Sequence, residues 1–146
     1  MTQSEFSGVM KLDDLRSFFL YVSSKETIRL YKPFLDPLDL TYTQYIALMV
    51  LWQKRSISVK ALGDCLYLDS GTMTPVLKKL ESKGYITRTR STEDERSVVI
   101  ELTEKGDSLK KEAVNVPGQL AGCVKLDAGE AAELHRLLYK VLENLD

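Results

Sequence analysis

Apolar residues recur at helical spacing in the first part of the chain. Leu12–Tyr31 carries a broad apolar stripe and predicts a long helix, which we expect Pro33 and the Asp36-Pro37 pair to end. Thr41–Trp52 predicts a second helix and is the most apolar segment, so we expect it in the core. Residues 1–10 are polar with scattered apolar positions, which is typical of a frayed terminus.

A short helix, a turn and a longer helix follow. Ser58 is a good N-cap, since its oxygen can accept a backbone N–H of the first turn, and the apolar stripe after it ends at Leu66. The longer helix starts within Asp69–Thr72, with Pro75 early in it. It closes at Gly84, a residue that suits the left-handed position after a helix. This pattern predicts a helix-turn-helix.

The spacing changes to alternation after the longer helix. Tyr85–Arg90 alternates Tyr and Ile with Thr and Arg, and Val98–Leu102 is β-branched and apolar, so both predict strands. The loop between them, Ser91–Arg96, is polar and would project as a wing, and Ile57 can add a short third strand. A helix-turn-helix followed by a hairpin predicts a winged DNA-reading unit.

The last part of the chain returns to helical spacing. Thr103 suits the cap of a helix that runs to about Val116, and the following Pro117 and Gly118 should kink, break or restart it. Asp127 caps a last helix whose leucines and valine lie on one side. The chain therefore carries an apolar helix at each end of a central winged unit.

The terminal helices are strongly apolar and lie outside a self-sufficient winged core, so they are best buried against a second copy of the chain. Phe18–Tyr21 are consecutive, so the first helix is apolar nearly all round there, and we expect a second copy of the chain as its neighbour. Pairing within one chain is the alternative. The predicted fold is mainly α-helical with a small β-hairpin wing. We divide it into an N-terminal dimerisation helix (1–40), a DNA-binding lobe (41–102) and C-terminal dimerisation helices (103–146), as one intertwined domain.

Overall charge does not suggest a nucleic-acid protein, but local charge does. The 146 residues carry a net charge of −1, so contact with DNA has to come from a local patch. Between Ser70 and Arg90 the only acidic residue is Glu81. The basic residues there are Lys78, Lys79, Lys83, Arg88 and Arg90. Phosphate neutralisation needs such a surplus, whereas the other interpretation is a small α/β unit with a solvated charged loop.

Other classes of protein find little support. There is no signal peptide and no run of about 18 apolar residues, so we expect no membrane association. Two cysteines, Cys65 and Cys123, form no disulfide framework, which favours a cytoplasmic protein, and Cys65 lies on an apolar stripe, where we expect a buried thiol. The single histidine, His135, has no paired nucleophile or carboxylate. Since phosphate loops and metal-ligand spacings are missing too, we expect no enzyme, metal or cofactor.

Several motifs of the winged unit are typical of one protein family. They are Leu62-Gly63 with Leu66, Asp69–Glu81, Gly84–Arg88, Asp94–Arg96 and Leu102–Gly106. With these motifs the chain resembles, over nearly its whole length, the MarR family of bacterial regulators. Tyr21–Glu26, Tyr31–Pro33 and Asp39–Tyr45 further resemble its organic-hydroperoxide-sensing branch, which includes OhrR, MgrA and SarZ.

The resemblance implies a homodimeric regulator, in this branch a repressor of an oxidative or organic-peroxide stress response, on a pseudo-palindromic operator in double-stranded DNA. Its recognition helices would lie about 34–36 Å apart. The implied DNA-contacting positions are Ser70, Thr72 and Thr74 for bases, Lys78, Lys79, Arg88 and Arg90 for phosphates, and Asp94 and Arg96 in the wing. Arg96, held by Asp94, would enter the minor groove. The other interpretation of Asp94 and Arg96 is an exposed ion pair worth under about 1 kcal/mol.

One departure from the branch concerns its sensor. The reactive cysteine position is Ser17, which cannot be oxidised to a sulfenic acid, whereas Tyr21 and Tyr31, which in the branch hydrogen-bond the sulfur across the dimer, are present. Two explanations stay open: an introduced replacement that locks the reduced, DNA-binding form, or natural divergence in which sensing moved or was lost. Cys123 lies in the region where two-cysteine members keep a resolving thiol, but the first cysteine is missing.

Two alternatives to a peroxide-linked regulator also stay open. A MarR-type regulator released by an aromatic small molecule would use Tyr21, Tyr31, Phe18 and Phe19 as its pocket, although these residues serve equally well as core. A dimeric protein–protein module that binds no DNA would use the same terminal helices. Such a module would not need the basic second helix or the wing arginine.

Overall fold

A computed structural model describes residues 11–94 and 96–145, and the terminus predicted to fray, 1–10, lies outside them. The helices are α1 (Arg16–Leu35), α2 (Tyr42–Lys54), α3 (Val59–Leu66), α4 (Ser70–Ser82), α5 (Glu104–Ala113), α6 (Val116–Ala121) and α7 (Ala128–Glu143), and the strands are β1 (Ser56–Ser58), β2 (Ile86–Arg90) and β3 (Val98–Leu102). Single 3-10 turns at Leu12–Asp14 and Asp36–Leu38 flank α1. The predicted mainly helical fold with a small hairpin is confirmed.

Helix α1 extends past the proline that was expected to end it. Pro33 lies inside the last turn and the helix continues to Leu35, so the end predicted at Pro33 is wrong, whereas the end predicted at the Asp36-Pro37 pair is confirmed. Leu35 is 2% exposed. Burying a leucine contributes about 1.5–3 kcal/mol, which offsets the roughly 3 kcal/mol cost of an interior proline. The predicted start is also early, because α-helical geometry begins at Arg16, after the 3-10 turn.

Side-chain caps start the helices at the residues that the sequence indicates. The capping oxygens belong to Thr41, Ser58, Asp69, Thr103 and Asp127, and each accepts a backbone N–H from the first turn of its helix. After α5 the chain breaks and restarts, with Pro117 in the first turn of α6. The predicted interruption is therefore a restart, and α5 ends at Ala113, earlier than expected.

The three strands form one antiparallel sheet in the order β1-β3-β2, which confirms the predicted third strand. In its register Ile57 of β1 and Arg88 of β2 both lie opposite Ile100 of β3. The core between the sheet and helices α2, α3 and α4 contains Ala47, Leu48, Leu51, Leu62, Met73, Leu77, Leu80, Ile86 and Ile100, each at most 1% exposed. As predicted, α2 is a core helix.

Gly106 fixes the next helix against the hairpin. A Cβ atom at this position would lie 2.3 Å from the carbonyl oxygen of Tyr85, so no other residue fits without a backbone shift. The indole N–H of Trp52 donates to the Gly106 carbonyl oxygen at 2.9 Å. These contacts attach α5 to both the sheet and α2.

Helix α7 lies apart from this core. None of its residues, Ala128–Glu143, all of which the structure describes, is buried. Leu134, Leu137, Leu138 and Leu142 remain 41–45% exposed. Nowhere in residues 11–94 and 96–145 does a helix reach the length and apolarity that crossing a membrane requires.

Candidate nucleic-acid interface

Helix α4 presents a polar face beside the hairpin. The Asp69 carboxylate accepts the Thr72 N–H at 2.8 Å, and hydrogen bonds from Thr72 hold the pKa of Asp69 below its usual range. Met73, Leu77 and Leu80 bury the opposite face. The predicted contact residues Ser70, Thr72, Thr74, Lys78 and Lys79 are all exposed. The helix can therefore enter a groove without losing its packing.

The start of α4 constrains what Thr74 can offer to a base. Its hydroxyl donates to the Ser70 carbonyl oxygen at 2.8 Å, so the proton is committed and the oxygen remains available as an acceptor. Pro75 lies inside the helix, and it lacks the N–H that would bond the Gly71 carbonyl oxygen. That carbonyl group belongs to an exposed residue, which limits the cost of the missing bond.

Asp94 organises the turn of the wing. Its carboxylate accepts the backbone N–H of Arg96 at 3.0 Å and the hydroxyl of Ser97 at 3.2 Å. The Ser91 N–H donates to the Ser97 carbonyl oxygen at 2.8 Å, which closes the loop. Asp94 therefore holds the backbone of Arg96 rather than pairing with its guanidinium. Arg96 itself is exposed, so its side chain is not buried in the body of the lobe.

A cavity of about 550 Å³ lies between the two helices α3 and α4 on one side and the hairpin with its wing on the other. Its lining includes Ser70 and Thr74 from α4, Arg88 from β2 and Arg96 from the wing. The tertiary structure thus brings both ends of the predicted site to one groove. The other contact residues of α4 lie on the same exposed helix but do not line this cavity.

Arg88 connects the sheet to α4. Its Nη2 donates to a Glu81 carboxylate oxygen at 3.0 Å, and the arginine side chain is 28% exposed. Its Nε is buried and has no hydrogen-bond partner within the described part of the chain. Contact with a phosphate would therefore have to share Arg88 with the ion pair that orients α4. Arg90, two residues further along β2, is exposed.

The predicted sensor residues do not meet within one chain. Ser17 and Tyr31 both lie on α1, and their separation of 14 residues corresponds to about 21 Å along a helix. Tyr21, one turn after Ser17, is 61% exposed. A pocket that contains both Ser17 and Tyr31 would require two chains.

Tyr31 instead belongs to an aromatic cluster with α2 that the sequence analysis missed. Its ring centroid lies 4.9 Å from that of Tyr42 and 5.8 Å from that of Tyr45. Burial raises the pKa of all three phenols, and the neighbouring tyrosines raise that of Tyr31 further. The spacing of Tyr42 and Tyr45, three residues apart and so on one helix face, was the available signal.

Cys65 is exposed, so its predicted burial is wrong. Helix α3 is short, and Leu62 and Gly63 are its buried residues, which leaves the thiol at the edge of the apolar stripe. Cys123 is also exposed, and its thiol lies 3.6 Å from the Gln119 carbonyl oxygen.

Comparison with known proteins agrees with this geometry. Residues 29–113 match the family described as transcriptional regulator SarA/Rot. The organic hydroperoxide resistance transcriptional regulator of Bacillus subtilis is 51% identical over 136 residues, which cover 93% of this chain and 92% of the relative.

Solved structures resemble the fold along most of the chain. The reduced form of AbfR, a Staphylococcus epidermidis protein, bound to DNA has a TM-score of 0.81 at 28% identity, covering 98% of this chain and 99% of AbfR. A variant of MarR from E. coli in complex with operator DNA has a TM-score of 0.74 at 29% identity, covering 85% of this chain and 91% of MarR.

Proposed function

The chain belongs to the SarA/Rot family of transcriptional regulators, and from this we propose that it is a dimeric repressor of a pseudo-palindromic site in double-stranded DNA. Its relatives and structural neighbours are regulators of the OhrR, SarZ and MarR type, so it is a transcriptional regulator and not an enzyme. The AbfR and MarR neighbours are bound to DNA, which supports the same ligand here.

The observation that carries the proposal is the shared groove of α4 and the wing. Ser70 and Thr74 from the helix line the same cavity as Arg96. Within residues 11–94 and 96–145, Lys78 and Lys79 take part in no ion pair, so their charges remain available for phosphates. We assign base contacts to Ser70, Thr72 and Thr74, phosphate contacts to the lysines and to Arg88 and Arg90, and a minor-groove contact to the wing of Asp94 and Arg96.

The exposed apolar faces of the terminal helices support a dimer. Four leucines of α7 are 41–45% exposed, and Phe19 and Leu20 of α1 are 49% and 45% exposed. Burying such faces against a second copy removes them from water and sets two lobes in a symmetric pair. We therefore propose that 1–40 and 103–146 form the dimer and that 41–102 reads DNA.

Arginine removal at the wing tests DNA binding. The measurement is fluorescence anisotropy on duplex DNA from upstream of the protein's own coding sequence, at stated salt. We expect Arg96→Ala to weaken binding by roughly 10- to 100-fold, about 1–3 kcal/mol, because it removes a charge from a narrow groove. Lys54→Ala is the matched control, since Lys54 is an exposed cation at the end of α2, outside the assigned DNA contacts and outside the proposed dimer segments. A parent protein that binds no duplex would instead support the protein–protein module.

For the trigger, we propose a link to oxidative stress, in line with the organic hydroperoxide resistance regulator among the relatives. Ser17 has no thiol to oxidise, so direct peroxide sensing at this position is lost, whether by introduction or by divergence. The aromatic cluster of Tyr31, Tyr42 and Tyr45 would then face Ser17 of the second copy.

Restoring the thiol tests this proposal. We expect Ser17→Cys to make DNA binding sensitive to cumene hydroperoxide, while the parent and Ser17→Ala stay insensitive. Binding would be measured before and after oxidant, with reversal by a thiol reductant. Binding of the Ser17→Cys variant that oxidant leaves unchanged would remove the peroxide pocket from the proposal but not the DNA-binding role.

A further inference from the structure

We propose that Lys83 is a positioning residue, which fastens the end of the recognition helix α4 to the corner between α1 and α2, and that it does not contact phosphate. The inference rests on the proposed function, because it concerns how α4 is held for DNA. Lys83 follows α4 directly and belongs to the local basic surplus of the sequence. Charge alone would therefore assign it to the DNA surface.

The contacts of the Lys83 ammonium point into the protein. Its Nζ donates to the backbone carbonyl oxygen of Asp39 and to Oε1 of Gln44 at 3.2 Å, and it lies 3.5 Å from the Asp39 carboxylate. The Lys83 side chain is 22% exposed. By contrast, Lys78 and Lys79 of α4 are exposed and without ion pairs in the described part of the chain. Three oxygen atoms of the α1–α2 corner thus lie around the ammonium group of Lys83.

The α1–α2 corner that accepts these hydrogen bonds combines a left-handed residue with a buried amide side chain. Asp39 has a left-handed backbone with φ of 53°, an uncommon conformation for a residue other than glycine. Gln44 is buried at 6% exposure, and its Oε1 also accepts the Thr41 N–H at 3.1 Å. One amide oxygen therefore serves both the start of α2 and the end of α4.

The position of the ammonium has an electrostatic cost. The N-terminus of α2 carries the positive end of a helix dipole, which disfavours a cation there. The Asp39 carboxylate offsets this repulsion. A lysine that only provided surface charge would avoid the site, so its presence favours a role in holding the two helices together.

The same residue is fixed from its other side. Nζ of Lys105, in the first turn of α5, donates to the Lys83 carbonyl oxygen at 2.8 Å and lies 5.3 Å from the centre of the Tyr85 ring. Lys83 therefore links α2, α4 and α5. The linked corner also carries Tyr42, whose ring contacts that of Tyr31 in a tilted arrangement. A displacement in the aromatic cluster that moves the start of α2 would thus reach α4 through Lys83.

Salt dependence of DNA binding distinguishes positioning from phosphate contact. A phosphate contact contributes about 0.9 to the slope of log K against log salt. We expect Lys83→Met to weaken binding about tenfold with the slope unchanged, since it removes a charge-assisted hydrogen bond whose acceptors belong to the protein. The matched control Lys78→Met should make this slope less steep by about 0.9, because it removes one phosphate contact. Lys83→Arg, which keeps donors for the same oxygens, should restore most of the affinity.

Hydrogen exchange of the free protein tests, without DNA, whether Lys83 fastens α4 to the α1–α2 corner. We expect Lys83→Met, but not Lys78→Met, to speed exchange of the backbone amides of 83–85 and 41–45 by about tenfold, because the fastening hydrogen bonds are gone. A Lys83→Met variant with a reduced salt slope, or with unchanged exchange in both segments, would overturn the inference. If the parent protein bound no DNA, the proposed function would fail. Hydrogen exchange alone would then test whether Lys83 holds α4 against the α1–α2 corner.

Discussion

Helices α2 and α7 are both rich in leucine, but only one of them buries it within the chain. In α2, Leu48 and Leu51 are 0% exposed, whereas Leu138 and Leu142 of α7 are 41% and 43% exposed. The same kind of apolar stripe is thus covered by the sheet and helices of the lobe in one case and left open in the other. Helical spacing predicts that a face will be buried, and it does not say in which molecule the covering surface lies.

This difference indicates that the protein is stabilised both by contacts within one chain and by contacts between two chains. The lobe is stabilised by contacts within one chain, so its contribution does not depend on protein concentration. Under the proposed dimer, the terminal helices would gain their burial on association, and this contribution would increase with concentration. Three predictions test the comparison.

The largest effect is expected in the open face of α7. A carboxylate at Leu138 would have to be desolvated on association, so Leu138→Asp should yield a monomer at micromolar concentration. DNA affinity should fall by about 10²-fold or more, because two linked lobes bind far more tightly than one. Sedimentation equilibrium and anisotropy measure the two effects. Leu138→Met conserves volume and apolarity and should keep the dimer. A dimeric Leu138→Asp variant would place the interface elsewhere.

A matched truncation in the lobe should behave differently. Leu48 is 0% exposed in the core, so Leu48→Ala should lower the free energy of unfolding by about 2–5 kcal/mol. Chemical denaturation at several protein concentrations measures this loss. We expect the difference from the parent to be the same at each concentration, whereas for Leu138→Ala it should vary. A concentration-dependent loss for Leu48→Ala would contradict the division into two regions.

The smallest effect is expected at the aromatic cluster that joins the regions. Burial on folding raises the pKa of Tyr31 and Tyr45, and Tyr42 raises both further. Their stabilisation is therefore complete below the unfolded value near 10 and is lost as pH rises through the folded values. Tyr42→Phe should lower both pKa values and change stability at neutral pH by under about 1 kcal/mol, because the ring remains. Ultraviolet titration of the phenols tests the direction, and unchanged values would contradict it.

Local patterns in the sequence were enough to predict the winged unit. Caps such as Ser58, Asp69 and Thr103 act on backbone N–H groups two or three residues away, so a short stretch of chain specifies each helix start. Alternation over five residues likewise specifies a strand. These local interactions predicted the order of the helices and the hairpin, and that order predicted the fold class.

Interactions between residues far apart in the chain account for the errors and omissions. Pro33 does not end α1, because burial of Leu35 in the core offsets the cost of an interior proline. Lys78 and Lys83 are the same residue type on one short segment, yet one stays at the surface and the other reaches Asp39, 44 residues away. Local patterns specify helices and strands because their hydrogen bonds span a few residues. Burial and ion pairing depend on which distant segments pack against a residue. In this chain only the tertiary structure therefore decided which lysines are paired and which tyrosines form the aromatic cluster.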